Sequence, residues 1–182
     1  MPRRADDSGN ADVFTIAKAT YYAVQHGARV INMSFGMDNS YSSVKAALAY
    51  AASKNVQVIA SAGNENTSRP QFPASVSSVI AVAATDLTDA KTGFSNYGTS
   101  IFVDAPGANI LSAFPGGYYA MVSGTSFSAP IVAGQAALIM SVKYSNAKTI
   151  IGATTVNIDS RNPAFVGKLG KGRIDIFNAV KP

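Results

Sequence analysis

The chain has 182 residues, of which 47% are hydrophobic and 14% charged, and a formal net charge of +5. This size and composition fit one globular domain with a substantial core, so residues 1–182 are treated as a single domain, with residues 1–11 expected to be disordered. Cysteine is absent, which excludes disulfides and thiolate metal sites. No run reaches about 18 uncharged apolar residues, so no membrane partner is expected. The basic residues are thinly spread, which predicts a solvated surface and no nucleic-acid partner.

Helix and strand patterns alternate along the first half of the chain. Apolar residues at three- and four-residue spacing predict helices over residues 11–26 and 41–53. Short apolar runs predict strands, which cover residues 29–35, 56–62, 78–85 and 101–103. Strands and helices joined by short connections are typical of a parallel sheet with helices on both faces, so the predicted fold class is α/β, a Rossmann-like three-layer arrangement.

The second half begins with a predicted hairpin, formed by residues 110–114 and 118–123 around a Pro-Gly-Gly turn. It leads into a predicted helix whose first turn carries the hydroxyls of Thr125, Ser126 and Ser128, and whose residues 131–142 are apolar on nearly every side. Such a helix is expected in the middle of the domain, covered on all faces. A last helix is predicted near residues 146–153, followed by a basic, glycine-rich tail.

Residues suited to acyl transfer are expected at one end of this sheet. Sites in open parallel sheets form beyond the carboxyl ends of the strands. The first predicted strand ends at residues 34–36, the second at residues 63–64, and the apolar helix begins near Ser126. A serine at a helix start is either an N-cap or a nucleophile. Beside an amide donor and a free strand edge, it fits the arrangement of attacking hydroxyl, oxyanion donor and peptide-binding edge.

Several segments resemble those of one enzyme family. Residues 124–130 (GTSFSAP) resemble the serine motif of the subtilisin-like proteases, the peptidase S8 family. Residues 61–65 (SAGNE) are similar to its oxyanion-asparagine segment, and residues 30–36 (VINMSFG) to its substrate-edge strand. Three more segments match in the family's order: FPA at 72–74, FSNYG at 94–98 and APG at 105–107. The resemblance spans roughly residues 12–180, and six motifs in order make it highly specific.

The resemblance implies a serine endopeptidase with a subtilisin-like fold, in which Ser126 is the nucleophile and Asn64 stabilises the oxyanion. It implies a peptide or protein substrate, bound by Ser34, Phe35, Gly36, Ser61, Ala62 and Gly63. It also implies a secreted, extracellular protein. Many relatives bind calcium through an aspartate on the fourth strand, where this chain has Phe102, so no metal and no other cofactor are expected.

The family's catalytic aspartate and histidine have no counterpart in this sequence, because His-Gly-Thr does not occur and the one Asp-x-Gly, residues 7–9, lies in the polar N-terminal segment and follows no predicted strand. His26 is the only histidine, and it precedes the first strand, about 13 Å of chain from Ser34. The chain therefore resembles the C-terminal part of the catalytic domain, a partial domain with the N-terminal strands missing. We expect weak or no activity from it alone. The exposed strand edge predicts self-association, or a partner that supplies the missing N-terminal half.

Two alternatives remain open. The chain could be a reduced serine hydrolase, such as an esterase, that uses Ser126 and Asn64 on activated esters. It could instead be a non-catalytic module that binds peptides or assembles with itself through the edge at residues 34–36. Glu65, the only glutamate, directly follows Asn64, and the resemblance implies that it borders the substrate pocket.

Overall fold

The computed structural model describes residues 10–142 and 146–181, so the prediction of disorder over residues 1–11 falls almost entirely outside the described residues. The helices are α1 (Val13–Gln25), α2 (Ser42–Ser53), α3 (Thr125–Val142), α4 (Ala147–Ala153) and α5 (Ile176–Val180). The strands are β1 (Val30–Met33), β2 (Gln57–Ser61), β3 (Ile80–Thr85), β4 (Val103–Pro106), β5 (Ile110–Phe114) and β6 (Tyr118–Val122). Two short 3-10 helices lie between α4 and α5.

Four strands form a parallel sheet in the order β1-β2-β3-β4, and β5 and β6 form a separate antiparallel hairpin. The register pairs Met33 with Ala60 and Ser61 with Val82, so the carboxyl ends of the first three strands lie at one edge. The loops that follow β1 and β2 therefore leave the sheet side by side. The α/β fold predicted from the sequence is confirmed.

Helices cover both faces of the sheet because side chains along each buried strand alternate between the faces. Val58 and Ala60 pack with α1 and α2 in one core cluster. Ile59, between them, packs with α3, α4 and α5 in the other. A strand that is buried on both faces needs apolar side chains at nearly every position, which explains the continuous apolar runs in the sequence.

Helix α3 is only partly covered, which corrects the expectation that all its faces are buried. Residues such as Ala136 and Ile139 are fully buried against the sheet, but Leu138 is 42% exposed and Gly134 also faces solvent. By length and composition alone α3 is long and apolar enough to cross a membrane, a test that the core helix of a globular domain also passes. Half of it is buried inside the protein, as in the core helix of a globular domain.

The two outer strands of the sheet differ in how their edges are covered. Strand β4 begins two residues later than predicted and includes Pro106, which is compatible with a strand end because proline lacks only the N–H. Its outer edge is covered, since Asp104 N–H donates to Gly172 and Ile174 N–H donates to Asp104. Strand β1 lies at the other edge of the sheet.

Candidate active site

Ser126 lies in the first turn of α3, beside the end of β1. Its hydroxyl donates to the Ser34 carbonyl over 3.2 Å, and the Ser34 hydroxyl donates to the Ser126 carbonyl over 2.8 Å. The second bond is possible because residue 130, whose N–H would normally reach the Ser126 carbonyl, is a proline. Asn32 Nδ2 in turn donates to the Ser34 hydroxyl. The start of the helix is thereby attached to the end of β1, with Ser126 half-buried.

Asn64 follows β2 and caps the start of α3 with its side-chain oxygen. Asn64 Oδ1 accepts hydrogen bonds from the Thr125 N–H and the Thr125 hydroxyl, both over 2.9 Å. Its Nδ2 group is close to Gly124, and it has no hydrogen-bond partner within the described part of the chain. The side-chain oxygen of Asn64 is therefore held by Thr125, and its two donor hydrogens are available near Gly124, two residues before Ser126.

Thr125 connects the β2 loop to the helix start, and sequence reasoning gave it no role. Its hydroxyl accepts a hydrogen bond from the Gly63 N–H and donates to Asn64. Ser61 and Ala62, predicted to line the substrate pocket, are 3% and 0% exposed. The side chain of Ala62 belongs to the core cluster under α1 and α2. Ser61 is the last residue of β2 and Ala62 continues its backbone. Gly63 is the first residue of the loop that turns toward Ser126.

Gly36 and Gly63 are both close to the side chain of Gln71, a residue without a role in the sequence analysis. A Cβ atom at Gly36 would overlap Gln71 Oε1. One at Gly63 would overlap Asn96 Nδ2 and Glu65 Oε2 and would lie 3.0 Å from Gln71 Oε1. Glu65 accepts hydrogen bonds from Gln71 Nε2 (3.3 Å) and from Asn96 Nδ2 (2.7 Å). Phe35 is 37% exposed at the end of β1. The predicted edge at residues 34–36 thus lies against the Gln71 side chain at Gly36.

Asn96 organises the loop that carries Asn64 and Glu65. It is fully buried, and its Oδ1 accepts hydrogen bonds from the N–H groups of Glu65 and Thr67. Its Nδ2 donates to the Ala62 carbonyl as well as to Glu65. The FSNYG segment contained this residue, but only the folded structure shows that its side chain supports the loop.

The Ser126 hydroxyl donates its hydrogen bond to a carbonyl, that of Ser34. No histidine or carboxylate among residues 10–142 and 146–181 hydrogen-bonds to this hydroxyl. His26 caps the C-terminus of α1, with Nδ1 2.8 Å from the Tyr22 carbonyl and its ring stacked on Tyr22. It precedes β1 and so belongs to the amino end of the sheet. Ser126 is left with the helix N-terminus, whose partial positive charge favours developing negative charge nearby.

The position just before the fourth strand at which the resemblance implies a calcium ligand, Phe102, does not fit a calcium ion. Phe102, at the position where relatives have a ligand, has no ligating atom, and the Lys148 ammonium lies 5.0 Å from the centre of its ring. No group of three or more His, Cys, Asp or Glu side chains that could hold a metal occurs among residues 10–142 and 146–181. No step of the chemistry below depends on a metal.

A model of the subtilase family, peptidase S8, matches residues 1–162. The chain belongs to the subtilase family. It is 38% identical to thermitase of Thermoactinomyces vulgaris over 181 residues, which are 98% of this chain and 63% of thermitase. It is 41% identical to a thermophilic serine proteinase of Bacillus sp. (strain AK1), over 98% of this chain and 44% of that protein. The chain thus spans less than two thirds of the length of these curated relatives.

Solved structures of proteases are also similar to this chain over nearly its whole length. The prenylagaramide maturation protease PagA superposes with a TM-score of 0.88 at 30% identity, over 97% of this chain and 69% of that one. The patellamide maturation protease PatA gives a TM-score of 0.88 at 29% identity, over 96% and 70% of the two chains. Nearly all of this subtilase chain therefore adopts the backbone arrangement found in solved proteases.

Proposed function

We propose that this subtilase carries the nucleophile and oxyanion donor of a serine endopeptidase, with Ser126 attacking the carbonyl carbon of a peptide and Asn64 Nδ2 stabilising the resulting oxyanion. The observation that supports this is the orientation of Asn64. Its oxygen accepts two hydrogen bonds from Thr125, which leaves the donor end free near Gly124, at the start of the helix that carries Ser126. Backbone N–H groups in the first turn of α3 lack intrahelical acceptors and can add a second donor.

The same geometry limits the expected rate. The Ser126 hydroxyl donates to a carbonyl, which cannot accept a proton as the nucleophile attacks. We therefore propose weak or no peptide cleavage by this chain alone, with turnover of activated esters whose leaving groups need no protonation. A reduced esterase and an incomplete peptidase share this behaviour.

The decisive experiment compares hydrolysis of a p-nitrophenyl ester and of a peptide p-nitroanilide by the wild type, Ser126→Ala and Ser123→Ala. We expect slow ester turnover that disappears in Ser126→Ala and persists in Ser123→Ala, a serine of the same loop. Ester turnover that is the same in all three proteins would contradict the proposal. Rapid Ser126-dependent cleavage of the anilide would contradict the absence of a base.

A non-catalytic role in peptide binding or assembly is the second candidate, and the open edge of β1 favours it. The Arg29 carbonyl accepts from Gln57 N–H, and the directions alternate along a parallel strand. The backbone groups of Val30 and Asn32 therefore point away from β2. A groove of about 430 Å³ between α1 and β1 adjoins this edge. Peptide binding that survives Ser126→Ala, without any turnover, would favour this role.

We also keep as proposals the partner and location predicted from the sequence. The β1 edge is the surface at which self-association, or a partner that adds strands, would occur. Peptides or proteins are the proposed substrates, and secretion is proposed from the family resemblance. Calcium is not proposed at Phe102, for the reason given above.

A further inference from the structure

We propose that Lys91 is a positioning residue for the proposed oxyanion donor: its ammonium binds the Asn66 side chain and two backbone carbonyls, and so holds the loop that places the Asn64 amide at the start of α3. The inference rests on the proposed function, because the role of Asn64 is part of it. It adds a residue from outside the site, and it identifies a cradle that fits a primary ammonium ion.

The Lys91 ammonium lies where oxygen atoms of two loops converge. Its Nζ atom donates to the Asn66 side-chain oxygen over 2.8 Å, to the Thr92 carbonyl over 2.8 Å and to the Ser95 carbonyl over 2.9 Å. A lysine ammonium has three N–H groups, so all its donors are used. Within the described part of the chain, no carboxylate forms an ion pair with this ammonium. Neutral oxygens therefore hold the charge.

Two aromatic rings complete the surroundings of the ammonium. The Lys91 Nζ atom lies 4.8 Å from the centre of the Phe165 ring and 5.4 Å from that of Tyr97, and the two rings meet edge to face. Burial lowers the pKa of Lys91, because it disfavours the charged form. The oxygens and the ring faces offset this cost. We call these three oxygens and two rings the ammonium cradle.

The backbone of Lys91 is fixed independently of the Asn64 loop. Its N–H donates to the Asn162 side-chain oxygen over 2.7 Å. Asn162 is buried, and its Nδ2 donates to the carbonyls of Asp89 and Ile158. The lysine therefore reaches the loop from a segment that is held by the C-terminal part of the chain.

Asn66 connects the cradle to the site, because it lies two residues beyond Asn64. Its φ of 53° is in the left-handed region, which is unfavourable for a residue other than glycine. Its N–H donates to the Phe94 carbonyl over 2.8 Å. Asn66 is exposed, and Lys91 is the hydrogen-bond partner of its side chain. Without the ammonium, the loop would lose the bond that holds this side chain.

The bond to the Ser95 carbonyl supports the same loop by a second route. Ser95 directly precedes Asn96, whose side-chain oxygen accepts hydrogen bonds from the N–H groups of Glu65 and Thr67. Removing the ammonium should therefore loosen both the Asn66 side chain and the segment that carries Asn96.

The test follows two quantities in each protein. The first is the protection of the Thr125 N–H against hydrogen exchange, measured by NMR. This N–H donates to Asn64 Oδ1 over 2.9 Å, so its exchange reports the position of Asn64 without any turnover. The second is the pair kcat and KM for a p-nitrophenyl ester.

The two variants compared first are Lys91→Met and Lys148→Met. Methionine keeps a long side chain and loses the ammonium. Lys148 is the matched control, because it is also half-buried, donates to the Ser77 carbonyl and lies beside an aromatic ring, but it does not contact the Asn64 loop. Burial lowers its pKa as it does that of Lys91.

In Lys91→Met we expect the protection of the Thr125 N–H to fall about tenfold, because local opening becomes easier. The kcat for the ester should fall about tenfold with a smaller change in KM, less than the 10²- to 10³-fold loss when an oxyanion donor is removed. Lys148→Met should change neither quantity. Unchanged protection of Thr125 in Lys91→Met, or equal losses in the two variants, would overturn the proposal.

Chemical rescue tests the cradle itself. Lys91→Ala removes three methylene groups and the ammonium, which n-propylammonium can replace. Added n-propylammonium should restore Thr125 protection and kcat in Lys91→Ala, but not in Lys91→Met, where a side chain fills the space. Tetramethylammonium carries the same charge without N–H donors and should not rescue. Ester loss in a Lys91→Ala, Ser126→Ala double variant is subtracted, because free amine attacks esters. Equal rescue by the two cations, or none by n-propylammonium, would overturn the proposal.

Asn66→Gly keeps the proposal testable if the Lys91 variants fail to fold. It removes the acceptor from the exposed side of the cradle, and glycine tolerates the left-handed backbone. Thr125 protection should fall in Asn66→Gly and be kept in Asn66→Asp, which retains an oxygen; unchanged protection in Asn66→Gly would overturn the proposal. Failure of the proposed function is visible separately, as ester turnover that does not depend on Ser126 while Thr125 protection still depends on Lys91.

Discussion

Ser34 and Ser126 exchange hydrogen bonds across the end of the sheet, each hydroxyl donating to the other residue's carbonyl over 2.8 and 3.2 Å. The shorter bond reaches a carbonyl that is free because Pro130 has no N–H to donate to it. Pro130 therefore leaves the Ser126 carbonyl without a partner inside the helix, and this carbonyl accepts the hydrogen bond that connects α3 to the end of β1.

This relationship predicts coupling between residues 34 and 130. Ser34→Ala should lower the free energy of unfolding by about 1 kcal/mol, the usual net value of one hydrogen bond. In a Pro130→Ala background the new N–H satisfies the Ser126 carbonyl, so Ser34→Ala should cost much less. A double-mutant cycle in urea measures this difference. Equal costs in both backgrounds would show that the Ser126 carbonyl does not depend on Ser34.

The two ends of the Asn64 side chain predict two separable effects. Asn64→Asp keeps an oxygen for Thr125 and places negative charge at a helix N-terminus, so stability should be kept or raised by up to about 1 kcal/mol. Loss of the Nδ2 donor should lower ester turnover about 10²- to 10³-fold. Asn64→Ala removes both groups and should also cost about 1–2 kcal/mol of stability.

Urea unfolding and p-nitrophenyl ester kinetics on the same preparations distinguish these variants. Full turnover by Asn64→Asp would contradict the assignment of the oxyanion donor. A large loss of stability in that variant would instead contradict the cap to Thr125.

Asp104 predicts an unusual pH dependence of stability. It is fully buried on β4, and both of its carboxylate oxygens lack hydrogen-bond partners among the described residues. Burial, and to a lesser extent the negative charge of Asp89, raises the pKa of Asp104 well above its usual value. Above about pH 4 this carboxyl ionises in the unfolded chain but stays protonated in the folded protein. Its contribution to stability should therefore fall as the pH rises toward the folded-state pKa, by up to about 1.4 kcal/mol per pH unit.

Asp104→Asn removes this ionisation, so the wild type should lose stability relative to the variant as the pH rises above about 4. Urea unfolding across that range measures the difference. Asp86→Asn is the control of opposite sign, because hydrogen bonds from the Thr88 hydroxyl and nearby N–H groups lower the pKa of Asp86. The Asp86 contribution should be present at neutral pH and disappear as the pH falls through its folded-state pKa. If the free energy of unfolding changed with pH in the same way for the wild type and Asp104→Asn, the prediction that Asp104 is buried in its protonated form would be contradicted.

The open edge of β1 predicts concentration-dependent association. Asn32→Pro removes an N–H that points away from β2, and proline is tolerated on an edge strand. We expect the wild type to associate at micromolar concentration in sedimentation velocity and Asn32→Pro to associate less. Asn32→Ala loses the same side-chain bond to Ser34 but keeps the N–H, so it should behave like the wild type. A wild type that stays monomeric at tens of micromolar would refute this prediction.

Much of the architecture could be predicted because its signals are local. Apolar runs such as residues 80–85 are buried on both faces, and their length and composition distinguish them from the helices. The turn at Pro115 and Gly116 indicates the hairpin through residues next to each other in the chain. In the same way, Asn146 is a residue type that favours the start of a helix, here α4. Strand β4 begins two residues later than predicted. Its start is set by pairing with β3 and by hydrogen bonds to residues 171–174, and a pattern of neighbouring residues carries no information on these contacts.

The sequence by itself determined the parallel α/β sheet and the segments that end on its carboxyl edge, including residues 34–36, 63–64 and the start of α3. Those features depend on hydrophobic periodicity and on motifs within a few positions. Only the tertiary structure decided which side chains meet there. Gln71 beside Gly36, and the Asn64 amide turned toward Thr125, depend on contacts between distant segments. Such contacts are set by how the strands pair and how the loops cross, and no spacing along the chain encodes them.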